Sequence, residues 1–170
     1  MSSEKIAFVV LNVVGGTAVL ASYALWLSNP SNDGGALWGT ISGAGRIGYT
    51  ASMLAAAAGY FAFAGYLLAS RSPTTTWLWL LVLFALILFP SALWMPFAFE
   101  YLDAPSSALW WGMRCTLAVV GVASALLLLA LMGFVPGSGT GRTLAVAGAG
   151  AFAFQTLVLD ALVWPLFFPR

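Results

Sequence analysis

Long apolar runs alternate along the chain with short segments that are polar or rich in glycine and proline. Five runs are long enough to cross a bilayer as helices, because a hydrocarbon core about 30 Å thick requires roughly 20 apolar residues. They cover residues 6–27, 47–70, 77–99, 108–135 and 144–168. Strands of membrane barrels are shorter and alternate in polarity. The pattern therefore predicts an all-α protein, a single bundle of five transmembrane helices that forms one domain.

The composition agrees with an integral, multi-pass membrane protein. Of the 170 residues, 62% are hydrophobic and only 6% are charged, whereas about 25% of the residues in a soluble domain are charged. The mean hydropathy is +0.98. Because so few polar side chains cannot cover a water-facing surface, a soluble enzyme and a disordered chain are excluded, and membrane lipids are the expected surroundings.

Few side chains are suited to catalysis, metal binding or nucleic-acid binding. Histidine is absent, which removes the usual general base and the commonest metal ligand. The net charge of +1 provides no basic field for a phosphate backbone. The single cysteine, Cys115, can form neither an internal disulfide nor a thiolate cage. We therefore expect no metal, no cofactor and no nucleic-acid partner, and an enzyme is the least favoured class.

Five crossings place the two termini on opposite membrane faces, which we name the N-terminal face and the far face. The N-terminal face receives Lys5, Arg71 and Arg142, and the far face receives Arg46, Arg114 and Arg170. Because the two faces receive equal numbers of basic residues, the positive-inside rule does not distinguish them. Since Arg114 falls within a predicted helix rather than in a loop, the remaining count favours a cytoplasmic N-terminus.

Two isolated charges fall inside predicted helices at a similar depth. Arg114 lies about 9 Å inside the start of the fourth helix, and Asp160 lies about 12 Å before the end of the fifth. An unpaired charge within the membrane costs roughly 2.5–3.5 kcal/mol or more. We therefore expect Arg114 and Asp160 to form an ion pair, with Glu100, Tyr101 and Asp103 as competing partners for Arg114.

Aromatic residues concentrate around these two charges, and six of the eight tryptophans lie toward the far face. Helical spacing aligns Trp110 with Arg114, and it aligns Thr156 and Trp164 with Asp160. One interpretation is an aromatic belt at the interface, with Asp160 as a structural contact. The other is a cavity that binds a small amphipathic molecule. The candidate ligand-binding residues are Trp94, Pro96, Phe97, Glu100, Trp110, Trp111, Arg114, Thr156, Asp160 and Trp164.

Small and polar residues indicate how the helices pack. Gly59, Gly121 and Gly148 belong to stripes of small residues that allow helix backbones to approach closely in lipid. Asn12 and Gln155 lie inside apolar runs, and we expect them to form hydrogen bonds between helices. These patterns favour one compact bundle.

The third apolar run contains two prolines, Pro90 and Pro96. Each removes a backbone donor and clashes with the carbonyl group four residues earlier. We therefore expect this helix to kink or to open. Ser91 or a neighbouring helix is expected to satisfy a freed carbonyl oxygen.

The segment SALWMPFAF at residues 91–99 resembles the third helix of the TspO/translocator family of tryptophan-rich membrane proteins. That family has Asn-x-Leu-Trp-x-Pro-x-Phe-Phe at this place. Ser91 stands where the family has asparagine, and the first loop lacks the family's proline-tryptophan run. The resemblance implies porphyrin or sterol binding within the bundle, and Trp94, Pro96 and Phe97 are the matching positions.

The sequence favours a membrane protein that binds or carries a small apolar or amphipathic molecule, such as a lipid, a sterol or a porphyrin, near the far face. The alternative is a non-catalytic structural subunit, in a homo-oligomer or a larger membrane complex, because little of the chain lies outside the membrane. A proton-coupled transporter that uses Asp160 is a third hypothesis.

Overall fold

The computed structural model describes residues 2–70 and 74–169. This part of the chain contains five helices that are long and apolar enough to cross a membrane, which confirms the predicted all-α bundle. Arg71 and Arg170, included in the charge count above, lie outside the described residues. The first four spans are α1 Ser3–Leu27, α2 Gly43–Ala69, α3 Thr74–Asp103 and α4 Ser107–Gly133.

The fifth span, Thr140–Phe167, is not one regular helix. It begins as α5, Thr140–Ala153, continues as a π-helical segment, Phe154–Val163, and ends as the short α6, Trp164–Phe167. Hydropathy alone did not indicate this change of winding. The change alters which side chains face one another, and it falls around Asp160.

Helix packing gives the bundle an order that differs from the chain order. α3 packs against both α1 and α4, α4 packs against the fifth span, and α2 packs against α5. A hydrogen bond from Tyr60 on α2 to Asn12 on α1 completes the circuit. The order around the bundle is therefore α1, α3, α4, the fifth span and α2.

Close backbone contacts occur at the predicted glycines. A Cβ atom added at Gly59 would lie 2.4 Å from the carbonyl oxygen of Gly148, so α2 and α5 touch through their backbones. A Cβ atom at Gly121 would lie 2.7 Å from the Cα atom of Leu157 in the π-helical segment. Small residues thus act as predicted, by letting helices approach where lipid supplies no hydrophobic driving force.

The Asn12 side chain makes the predicted contact between helices. Its Nδ2 donates to the carbonyl oxygen of Phe8 at 2.8 Å, and its Oδ1 accepts a hydrogen bond from the Tyr60 hydroxyl at 2.5 Å. The Tyr60 ring also packs edge-on against Phe63 and Phe84, with centroids 5.2 and 5.9 Å away. This polar contact therefore links α1 to α2 within an aromatic part of the core.

We expect Tyr60→Phe to lower the free energy of unfolding by about 1 kcal/mol, because it leaves Asn12 Oδ1 without a donor inside the membrane. Circular dichroism during titration with a denaturing detergent measures this loss. Tyr66→Phe is the matched control, since the Tyr66 hydroxyl donates to the carbonyl oxygen of Pro136 at an exposed position where water can replace it. Equal losses in the two variants would contradict the role given to Asn12.

The third helix does not open at its prolines. α3 continues from Thr74 to Asp103 with Pro90 and Pro96 inside it, so of the two expected outcomes, a kink or an opening, the opening does not occur. The Ser91 hydroxyl donates to the carbonyl oxygen of Ile87 at 2.6 Å, one residue after the carbonyl group that Pro90 leaves without its donor. The helix packs against both α1 and α4.

The loop between α1 and α2 folds over the far-face end of the fifth span. It contains a short 3-10 helix, Ala36–Trp38, whose Leu37 side chain is buried. The Trp164 Nε1 group donates to the carbonyl oxygen of Leu37 at 2.8 Å, and the Thr40 backbone N–H donates to the carbonyl oxygen of Phe167 at 3.0 Å. This loop therefore covers the part of the bundle where the candidate residues lie.

Candidate functional site

Asp160 lies in the π-helical segment of the fifth span and is half-buried. Its Oδ1 accepts two hydrogen bonds, one from the Tyr49 hydroxyl of α2 at 2.5 Å and one from Gln155 Nε2 at 2.8 Å. Within the described residues, its Oδ2 has no hydrogen-bond partner. The carboxylate is therefore held by neutral donors on one oxygen only.

The π-helical winding explains why Gln155 reaches Asp160. In an α-helix, side chains five residues apart point about 140° away from each other, whereas a π-helix bonds residues i and i+5 around a wider turn. The alignment expected from α-helical spacing was with Thr156, but the Thr156 hydroxyl donates to the carbonyl oxygen of Phe152 at 2.9 Å. Gln155, and not Thr156, is therefore the residue of this span whose side chain bonds to Asp160.

The predicted ion pair between Arg114 and Asp160 is wrong. In the part of the chain that the structure describes, no basic nitrogen lies within 4.0 Å of the Asp160 carboxylate. The Arg114 guanidinium is half-buried and lies 5.9 Å from the ring centroid of Trp110 on its own helix. Similar depth did not bring the two charges together, because depth along the membrane does not specify which way each helix faces.

Gln155 carries a second unusual feature. Its side chain is only 4% exposed, and its Oε1 atom is buried with no hydrogen-bond partner among the described residues. We predicted a hydrogen bond to another helix, whereas its Nε2 bonds to Asp160 in the same span. Buried acceptors are nearly always satisfied by protein or by ordered water. No donor from the described part of the chain therefore satisfies this oxygen.

Two of the predicted tryptophans, Trp94 and Trp164, come together in the same half of the bundle. Their rings meet edge to face with centroids 5.8 Å apart. Trp94 Nε1 donates to the Tyr23 hydroxyl at 2.9 Å, and Trp164 lies four residues after Asp160 in the fifth span. The aromatic rings and the carboxylate therefore belong to one region, which we name the far-face site.

Trp38 from the loop extends the far-face site on the side of α2. Its ring meets the Tyr49 ring edge-on, with centroids 5.8 Å apart, and the Arg46 guanidinium lies 4.6 Å from the Trp38 centroid. Tyr23, Trp38, Tyr49 and Gln155 were not among the ligand-binding residues predicted from the sequence. For Tyr23, Tyr49 and Gln155 the available signal was a polar side chain within an apolar run, because such groups must find partners in lipid.

The remaining candidates lie around the edge of this site or away from it. Trp110 packs against Tyr101, with centroids 5.5 Å apart. Phe97 packs toward α4, since a Cβ atom at Gly112 would lie 3.5 Å from its ring, and Pro96 is half-buried on α3. Trp111 is 61% exposed, and Glu100 is exposed in the last turn of α3. Their role in ligand binding stays a prediction.

Within the described residues, the far-face site thus combines a carboxylate that lacks a cationic partner, an unpartnered amide oxygen and a set of aromatic rings. Such groups can accept hydrogen bonds from a bound molecule and pack against its apolar body. No protein-family model, curated protein or solved structure matches this chain.

Proposed function

We propose that this membrane protein binds a small amphipathic or apolar molecule at the far-face site. The observation that carries the proposal is Gln155 Oε1, a buried acceptor to which no residue in the described ranges donates, beside a carboxylate with one oxygen that those residues leave unbonded. A buried polar group left unsatisfied costs free energy. A ligand with a hydrogen-bond donor and an apolar body would satisfy both groups.

The arrangement of the tryptophans favours a pocket over an interfacial belt. Trp164 is only 6% exposed and contacts Trp94, whereas belt residues face the headgroup region. Trp111 is 61% exposed and fits the description of a belt residue. The site therefore contains aromatic rings that face protein, which is typical of ligand pockets.

The loop contacts indicate where in the bundle the ligand would lie, and the distribution of basic residues indicates which membrane face the site is nearer. The loop around Leu37 covers the far-face end of the fifth span through Trp164 and Phe167, so a ligand would lie between this cover and the middle of the bundle. If the N-terminal face is cytoplasmic, as the basic residues favour, the site is nearer the opposite face. Lipids, sterols and porphyrins belong to the ligand classes that we propose to test.

The test is binding to the purified protein in nanodiscs, with a fluorescent sterol, a porphyrin and a lipophilic cation as probes and tryptophan quenching as the signal. We expect saturable binding of at least one probe, which Trp94→Leu weakens by about tenfold or more through lost aromatic contact. Trp111→Leu is the matched control, because it removes an exposed tryptophan. The proposal fails if no probe binds saturably, or if the two variants have the same effect.

A further inference from the structure

We infer that the ligand of the far-face site is an amphipathic cation, a molecule with a protonated amine or another positively charged centre attached to an apolar aromatic or alkyl body. This inference rests on the proposed function and names the class of molecule that the site takes. It follows from the charge, the free acceptors and the rings around Asp160.

The charge of Asp160 is the first step of the argument. A carboxylate inside a membrane is costly unless it is paired or hydrated, and no described lysine or arginine pairs with this one. Both neutral donors, from Tyr49 and Gln155, bind Oδ1. A cation could therefore approach Oδ2 without displacing either hydrogen bond.

The two nearby arginines do not neutralise the charge of Asp160 through an ion pair. Arg46 lies over the ring of Trp38, and Arg114 lies over the ring of Trp110. Neither forms an ion pair with Asp160 within the described part of the chain. Because opposite charges attract strongly in surroundings of low dielectric constant and like charges repel, the site favours a cation over a fatty acid or another anion.

The aromatic rings and the amide oxygen supply the rest of the recognition. Tyr23 and Trp94 form one pair of rings in the site, with centroids 6.1 Å apart, and Trp94 also meets Trp164. Aromatic faces attract organic cations, and more strongly when water is excluded. Gln155 Oε1 can accept a hydrogen bond from a ligand N–H group.

The experiment compares tetraphenylphosphonium with tetraphenylborate, two probes of the same shape and opposite charge. Binding is measured by equilibrium dialysis against the full chain in nanodiscs of phosphatidylcholine, whose headgroup has no net charge. We expect saturable binding of the phosphonium cation and binding of the borate anion that is weaker by about tenfold or more. Equal saturable binding of both probes would overturn the inference.

The matched variants are Asp160→Asn and Asp103→Asn. We expect Asp160→Asn to weaken phosphonium binding by about tenfold or more, because a neutral amide removes the ion pair with the probe. Asp103, exposed in the last turn of α3, should be replaceable without effect. Unchanged affinity in Asp160→Asn would overturn the inference. If that variant does not fold, Asp160→Glu, which keeps the charge, is expected to retain phosphonium binding, and complete loss there would count against the inference.

The sterol and porphyrin probes separate this inference from the function on which it rests. Saturable binding of a sterol or a porphyrin that depends on Trp94, without binding of the phosphonium cation, would overturn the ligand class and leave the proposed function in place. If none of the probes binds, both proposals fail.

Discussion

Gly59→Val is expected to separate α2 from α5 and to lower the free energy of unfolding by about 3 kcal/mol. A Cβ atom at position 59 would lie 2.4 Å from the carbonyl oxygen of Gly148 and 2.8 Å from its Cα atom. These are backbone atoms, so no side-chain rotation can relieve the overlap. Because lipid surrounds both helices, no hydrophobic force compensates for the lost contact.

Gly65→Val on the same helix is the matched control, since no atom of another helix lies within 4 Å of a Cβ atom there. Both variants place a β-branched residue in α2, and only one of them obstructs the contact with α5. Unfolding by denaturing detergent, followed by circular dichroism, compares them with the unaltered protein. If Gly59→Val costs no more than Gly65→Val, the backbone contact between α2 and α5 is not as described.

The second large effect is expected for Gly39→Ala, which should detach the loop from the fifth span at a cost of about 3 kcal/mol. Gly39 has φ 53° and ψ −122°, a conformation that L-residues rarely adopt. A Cβ atom there would lie 2.1 Å from the carbonyl oxygen of Phe167. The hydrogen bonds of Thr40 and Trp164 in the same contact would then be lost.

Gly43→Ala separates the two causes of this effect. Gly43 has nearly the same φ, 54°, but no atom lies within 4 Å of a Cβ atom added there. We expect it to cost about 1 kcal/mol from backbone strain alone. Hydrogen exchange of residues 36–41 should be faster in Gly39→Ala than in Gly43→Ala. The same exchange in both variants would argue against docking of the loop on Phe167.

The number of spans and the helical class could be predicted because the bilayer imposes both. A backbone that crosses hydrocarbon must satisfy its own hydrogen bonds, so long apolar runs form helices. The ends of the helices were harder to predict, since a helix can continue past its apolar run. α3 extends to Asp103, beyond the predicted end at residue 99, and this extension places Glu100 in a helical turn instead of a loop.

The candidate site was harder to predict because its geometry depends on helix winding and rotation. Spacing in an α-helix aligned Asp160 with Thr156, whereas the π-helical segment aligns it with Gln155. Depth along the membrane suggested Arg114 as a partner, but depth does not specify which way a helix faces. Tyr49, far away in sequence, reaches Asp160 only because α2 packs beside the fifth span.

The amino-acid order was sufficient to establish a membrane protein of five helices, with small residues at Gly59 and Gly148 where backbones meet. Hydropathy and residue size are local properties, and the lipid surroundings act on each run separately. The hydrogen-bond partners of Asp160, in contrast, do not follow from local properties. They depend on the order of helices around the bundle and on the change of winding in residues 154–163, which arise only when all five spans pack together.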